Sequence, residues 1–248
     1  MGLSGAGRDR GAETSQVSGA SVGAAKYRCV VFDLDDTLYL ERDYVRSGFR
    51  AVAEWVRQRW GEARFAQVAW RHFLEGVRGT IFNRALEDLG LPADPEVISE
   101  TVCIYREHMP DISLLPDARE CLRRLRGRFF LGVITDGPFV SQQRKTEALG
   151  LPRLVDNILY TAELGEGFGK PHPRAFEEMQ RHAGVSGEAC VYIADNPRKD
   201  FIAPRQLGWG TVRIVREGGI YAGVESPEGQ DAEWTVSDLL EARQWLSE

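Results

Sequence analysis

The stretch Cys29-Val30-Val31-Phe32-Asp33-Leu34-Asp35-Asp36-Thr37-Leu38 decides how the rest of the chain reads. A β-branched and aromatic run stops abruptly at three acids and a hydroxyl. Burying the run makes a strand, and the acids then crowd its C-terminal tip. Like charges held together repel one another, and a fold tolerates that where a cation or a proton-transfer role offsets the cost. Asp33 and Asp35 lie two apart, but the chain leaves the strand between them, so both can face one pocket. One carboxylate can then attack while the other moves a proton. Taken alone, the segment also fits an acidic turn closing a strand, with Asp36 and Thr37 capping the next element.

Three further segments bear on the choice. Phe129-Phe130-Leu131-Gly132-Val133-Ile134-Thr135-Asp136-Gly137 is again an apolar run, ending in a hydroxyl, an acid and a glycine. A helical pattern comes next, and a hydroxyl beside backbone N–H groups at a helix entrance suits a phosphate as well as an ordinary N-cap. Gly167-Phe168-Gly169-Lys170-Pro171-His172-Pro173 is a loop whose glycines bend sharply and whose prolines pre-set the next helix. The chain has four lysines, Lys26, Lys145, Lys170 and Lys199, among 31 lysines and arginines, so a lysine kept on this rigid loop is a candidate point charge. Ala189-Cys190-Val191-Tyr192-Ile193-Ala194-Asp195 ends a third apolar run in an acid, and Asp200 lies five residues on. That pair suits a hard cation such as Mg2+, which takes few carboxylates, several waters and substrate oxygens.

In this order the four segments resemble the motifs of the haloacid dehalogenase (HAD) superfamily, over Arg28 to about Trp209 apart from one insertion. Asp33-Leu34-Asp35-Asp36-Thr37 matches the DxDx[TV] signature, Thr135 the second motif, Lys170 the third, and Asp195 with Asp200 the fourth. The resemblance implies roles. Asp33 is the nucleophile that takes the phosphoryl group, and Asp35 protonates the leaving oxygen and then activates water. Mg2+ is held by Asp33, the backbone carbonyl of Asp35 and Asp195. Thr135, Lys170 and the N–H groups after Thr135 hold the transferring oxygens. Asp200 supports the metal through water or orients Lys170. One departure is visible: many relatives carry asparagine where this chain has Asp136, and an acid beside a phosphate must be turned away, paired or protonated.

The remaining sequence bounds the answer. The 248 residues suffice for one large domain or for one domain with a smaller one inserted. A net charge of −6 argues against a nucleic-acid binder working through a broad basic surface. The scattered cysteines, Cys29, Cys103, Cys121 and Cys190, lack metal-site spacing and read as buried free thiols in a reducing compartment. Residues 1–25, rich in Gly, Ser and Ala, read as a disordered tail without a signal-peptide run. No segment is long and apolar enough to cross a membrane, so a cytoplasmic protein is expected.

The fold class expected is α/β, a doubly wound parallel sheet (a HAD-like Rossmannoid core) over 26–40 and 113–248, with a small helical cap inserted at 41–112. Strands are expected at 28–33, 129–135, 157–160, 191–195 and 211–215. Core helices are expected near 118–125, 140–149, 173–183 and 197–207. The family order would put the first strand centrally, with the third- and fourth-motif strands on either side. In the insertion, Val45, Phe49, Val52, Val56 and Trp60 keep a helical periodicity, and further helices fit 63–78, 80–89 and 94–108. Its Trp and Phe stripes read as core. His72, Asn83 and Arg84 are its candidate substrate contacts.

The function expected is a Mg2+-dependent phosphomonoester hydrolase acting on a small phosphorylated metabolite through an aspartyl phosphate. The acid at Asp35 argues against a dehalogenase. The absence of lysine from 41–112 argues against a phosphonate hydrolase that forms a Schiff base. A phosphomutase of the same superfamily and a non-catalytic binding or regulatory protein on the same fold stand as alternatives.

Overall fold

A computed structural model describes residues 26–242 together with Met1. The tail expected over 1–25 otherwise lies outside the described residues. Six strands form one parallel sheet: β1 (Cys29–Phe32), β2 (Phe130–Thr135), β3 (Asn157–Tyr160), β4 (Cys190–Ala194), β5 (Gly210–Ile214) and β6 (Trp234–Val236). Their order is β3-β2-β1-β4-β5-β6. The chain lays strands to one side of β1 and then to the other, so a crevice forms at the carboxyl end where the direction switches. The neighbours of β1 are therefore β2, which ends in Thr135, and β4. The third motif sits on a loop after β3, contrary to the strand placement expected.

Helices cover both faces, which is why β1 is apolar without alternation. Val30 and Phe32 pack with Ala118, Cys121 and Leu122 of α5 (Pro116–Leu125). Cys29 and Val31 pack on the other face with Phe176 and Met179 of α7 (Arg174–Ala183). Gly132 lets α7 approach: a Cβ there would lie 2.6 Å from the Met179 sulfur. The remaining core helices are α6 (Phe139–Ala148), α8 (Ile202–Gln206) and α9 (Leu239–Ala242). The helix expected over 197–207 is cut to its second half. Asp200 accepts from the Asn196 N–H (3.1 Å), and Asn196 accepts from the Arg198 N–H (3.0 Å), which hold the segment as a tight loop. Strand β6, three residues long, was not expected.

Four helices fill the insertion: α1 (Glu41–Trp60), α2 (Phe65–Leu74), α3 (Ile81–Asp88) and α4 (Pro95–Glu107). They share an apolar cluster of their own, built on Phe49, Val52, Val56, Phe65 and Leu86. Gly48 of α1 makes room for Tyr105 of α4, whose ring would lie 2.3 Å from a Cβ at that position. Asp94 caps α4 through the N–H groups of Glu96 and Val97, both at 3.1 Å. The two ends of the insertion meet again where the Leu115 N–H donates to the Leu38 carbonyl at 3.0 Å. Asp36, at a positive φ of 50°, ties three parts together. Its carboxylate accepts from the Glu41 N–H at the start of α1 (2.8 Å) and from the Ile220 N–H in the loop after β5 (2.7 Å). No helix among the described residues is long and apolar enough to cross a membrane.

Candidate active site

Asp33, Thr135 and Asp195 stand at the carboxyl ends of three adjacent strands, β1, β2 and β4. A cavity of about 310 Å³ opens there. Asp33, Asp35 and Asp195 line its core side, and Glu41 and Tyr44 of α1 with Tyr105 and Arg106 of α4 line the opposite side. Helix α6 contributes Ser141, Gln142 and Lys145.

Asp33 is buried, and the Lys170 ammonium donates to it at 2.6 Å. The same ammonium lies 2.9 Å from Asp200 and donates to the Tyr192 hydroxyl at 3.0 Å. Burial opposes the charge on Lys170, but Asp200 and Asp33 outweigh it and hold its pKa well above the usual range. Lys170 is thus a fixed cation against the nucleophile candidate.

Asp33, Asp195 and Asp200 are all buried, and each offers a carboxylate oxygen within 4.8 Å of the others. Lys170 pairs with two of them, which leaves Asp195 without an ion pair among the described residues. Burial, and after it the charges of Asp33 and Asp200, pushes Asp195 up to about 10. Burial likewise raises Asp33 to about 6, against the pull of Lys170. Three hard oxygen donors whose ionised charges exceed the single positive charge of Lys170 are what a small divalent cation fits.

Asp35 faces elsewhere. Its carboxylate accepts from the Lys145 ammonium at 2.7 and 3.0 Å and from the Tyr39 hydroxyl, a set of partners separate from those of Asp33. Lys145 is itself buried, and its ammonium lies 4.3 Å from the centre of the Tyr44 ring. Asp136 is paired, as an acid in that place must be. It accepts from Lys199 (3.0 Å), the Lys170 N–H (3.2 Å) and the Thr161 hydroxyl. Burial would raise its pKa, but Lys199 and Lys170 overcome that and hold it below the ordinary carboxylate range. The Thr135 hydroxyl donates to Gln142 at 2.9 Å and does not line the cavity.

This arrangement of strand-tip acids and a loop lysine has relatives. The sequence profile of haloacid dehalogenase-like hydrolases matches residues 27–208. The chain belongs to that family. Among curated HAD relatives, the glyceraldehyde 3-phosphate phosphatase of Methanocaldococcus jannaschii is 29% identical over 223 residues, covering 86% of this chain and 93% of its own. The enzyme of that name from Methanopyrus kandleri is 30% identical over 216 residues, covering 82% and 90%. A HAD-hydrolase of Bacillus subtilis solved with magnesium shares the fold at a TM-score of 0.65 and 20% identity, covering 89% of this chain and 99% of that one. The chain is therefore a hydrolase by family, and these curated relatives are phosphatases.

The structure thus brings together Asp33, Lys170, Asp195 and Asp200, and sets Asp35 in the same cavity. It does not bring His72, Asn83 or Arg84 there: none of the three lines the cavity. His72 is buried in α2 and hydrogen-bonded to Asp88 at 2.9 Å, and Arg84 is exposed. Cys103 is exposed where a buried thiol was expected. Sequence reasoning missed Lys145, Lys199, Glu41 and Tyr105. A signal for the two lysines existed, because the scarcity that singled out Lys170 applies to them equally.

Proposed function

We propose that this protein is a Mg2+-dependent phosphomonoester hydrolase that acts on a small phosphorylated metabolite through an aspartyl phosphate. The observation that carries the reading is the division of labour at one strand tip. Asp33 is held by Lys170 beside two more buried carboxylates, while Asp35, two residues on, is held separately by Lys145 and Tyr39. A nucleophile and a proton carrier need such separate surroundings.

In the first step an Asp33 carboxylate oxygen attacks phosphorus, the ester P–O bond breaks, and Asp35 gives its proton to the departing alkoxide. In the second step Asp35 takes a proton from water. The hydroxide attacks phosphorus, the bond to Asp33 breaks, and inorganic phosphate leaves with Asp33 regenerated as the carboxylate and Asp35 as the acid. Lys170 sits where it can stabilise the oxygens of the transferring group, and the N–H groups after Thr135 lie at the same strand ends. Mg2+, held by Asp33, Asp195 and the backbone carbonyl of Asp35 with Asp200 in support, would supply the positive charge that offsets repulsion between the attacking carboxylate and the phosphate dianion. The helical insertion acts as a C1-type cap over the site. The relatives' action on phosphorylated trioses supports a small substrate. Cys29 and Cys190 stand opposite each other on β1 and β4 as free thiols, which supports a reducing, cytoplasmic setting.

The test is turnover of a panel of phosphorylated metabolites with and without Mg2+, by wild type and Asp33→Asn. The amide keeps the volume but is a poor nucleophile and a weaker metal ligand. The expected loss is at least about a thousandfold, the scale on which removal of a nucleophile is felt. A folded Asp33→Asn variant with more activity than that, or wild-type turnover indifferent to chelation of Mg2+, would overturn the reading.

A further inference from the structure

Beside the polar cavity lies a second chamber of about 290 Å³. Glu41, Tyr105 and Arg106 belong to the walls of both, so the two spaces adjoin. Their linings differ in kind. The first presents carboxylates, two amides and ammonium groups. The second is walled by the rings of Phe49, Phe73 and Phe82, with Val45, Ile81 and Val102 between them. Phe49 meets Phe82 and Phe73 edge to face, with ring centres 6.0 and 6.4 Å apart.

The chamber's other charged wall residue is occupied elsewhere. Arg78 donates to the carbonyls of Phe73 (3.0 Å) and Val77 (2.8 Å), and its guanidinium lies 4.3 Å from the centre of the Phe73 ring. Ile220 closes the chamber from the core side, and its N–H is fixed by Asp36, next to Asp35 in sequence. The apolar space is thereby registered to the catalytic turn and is not a loose gap between packed parts.

We propose that this chamber receives the alcohol part of the substrate, and that the substrate is the phosphomonoester of an alcohol bearing an aromatic ring. The assignment rests on the phosphatase reading and narrows it. A phosphate seated at Asp33 leaves the alcohol pointing away from the core, toward the helical side, where the chamber adjoins. A polyhydroxylated sugar placed there would bury hydroxyls against phenyl rings with few partners. A triose would leave the space unfilled. An aromatic ring fills it and meets the phenylalanines edge to face.

The test uses the full chain with Mg2+ and alkyl esters of similar leaving-group acidity: benzyl phosphate and 2-phenylethyl phosphate against glycerol 3-phosphate and glyceraldehyde 3-phosphate. Aryl phosphates are avoided because a phenolate leaves easily without help. The expected kcat/KM is at least about tenfold higher for the aromatic esters, the lower end of what burying a ring gives. Val102→Trp, which fills the chamber, should lower the ratio of aromatic to glycerol ester at least about tenfold. Calorimetry of benzylphosphonate against methylphosphonate on the wild type reads the same preference without turnover and without the variant. Turnover that favours the triose or glycerol ester, or an unchanged ratio in folded Val102→Trp, would overturn the aromatic class and leave the phosphatase reading standing. No turnover of any ester would overturn both.

Discussion

The Lys145 ammonium reaches both carboxylate oxygens of Asp35, at 2.7 and 3.0 Å, although 110 residues separate the two in the chain. The pairing joins α6 to the turn after β1 within the cavity wall. The Tyr39 hydroxyl donates to the same carboxylate. Asp35 is therefore oriented by its neighbours and is not left to sample rotamers, which suits the proposed role of meeting first a leaving oxygen and then a water.

Removing that orientation should slow chemistry more than binding. Lys145→Met is expected to lower kcat about ten- to a hundredfold, the usual cost of losing a residue that positions a catalytic group, with KM moving less. Steady-state kinetics beside a thermal melt would check it. A folded variant with kcat within twofold of wild type would show that the ion pair is only structural.

Asp35→Asn should act on two steps. With an ester whose leaving group needs little protonation, the first step suffers less than the second, so the aspartyl phosphate accumulates. Rapid acid quenching should trap a larger phosphoenzyme fraction in the variant than in wild type. Equal fractions would remove Asp35 from the role of base.

Glu41 supplies a pH dependence of stability. Burial and the Asp35 charge push it up to about 7, against the pull of Lys145. Its unfolded value is about 4.3, so the folded state binds the proton more tightly. Ionising Glu41 therefore costs the fold stability above pH 7, and the cost fades as the pH falls toward 4. In metal-free protein, Glu41→Gln should be more stable than wild type at pH 8 by on the order of 4 kcal/mol, at 1.36 kcal/mol per pKa unit. The advantage should narrow steadily toward pH 5. A melting-temperature difference that is the same at pH 5 and pH 8 would contradict it.

Metal binding should release protons. Asp195 and Asp33 are raised in the metal-free protein, and a cation favours their ionised forms. Mg2+ affinity is accordingly expected to increase from pH 6 to pH 9, with about one proton released per ion at pH 7. Titration calorimetry in two buffers of different ionisation enthalpy measures that proton directly. Identical apparent enthalpies in both buffers would count against the assigned ligands, as would undiminished Mg2+ binding by Asp195→Asn.

Much of the fold was legible because the sheet is buried on both faces. Strands β1, β2 and β4 are apolar runs that stop at a polar residue, and the bounds of β1 to β5 lie within about a residue of those expected. β6 escaped because Trp234-Thr235-Val236 is too short to show a period, and its pairing with β5 defines it. The helix after β4 was read too long because side-chain bonds from Asp200 and Asn196 hold the backbone as a loop. At the site, Asp33, Lys170, Asp195 and Asp200 could be named because each closes a local pattern. Lys145 shared the scarcity of Lys170 but closes no local pattern, because its meaning lies in the distant carboxylate it faces, and Glu41 reads only as an acid in the first turn of a helix. The helical insertion was less legible for a related reason. Its polar residues His72, Asn83 and Arg84 drew attention, but Tyr44 and Tyr105 reach the cavity from stripes that look like core.

The placement of the four lysines has a practical consequence. Lys145 and Lys170 are buried, and Lys199 is paired with Asp136, which leaves Lys26 as the exposed one. Reagents that acylate side-chain amines will therefore label the native protein sparsely, and the intake of label at Lys145 and Lys170 will report how often the catalytic centre comes apart. The molecule carries its own sensor of active-site integrity, readable by mass without substrate, metal or an engineered tag.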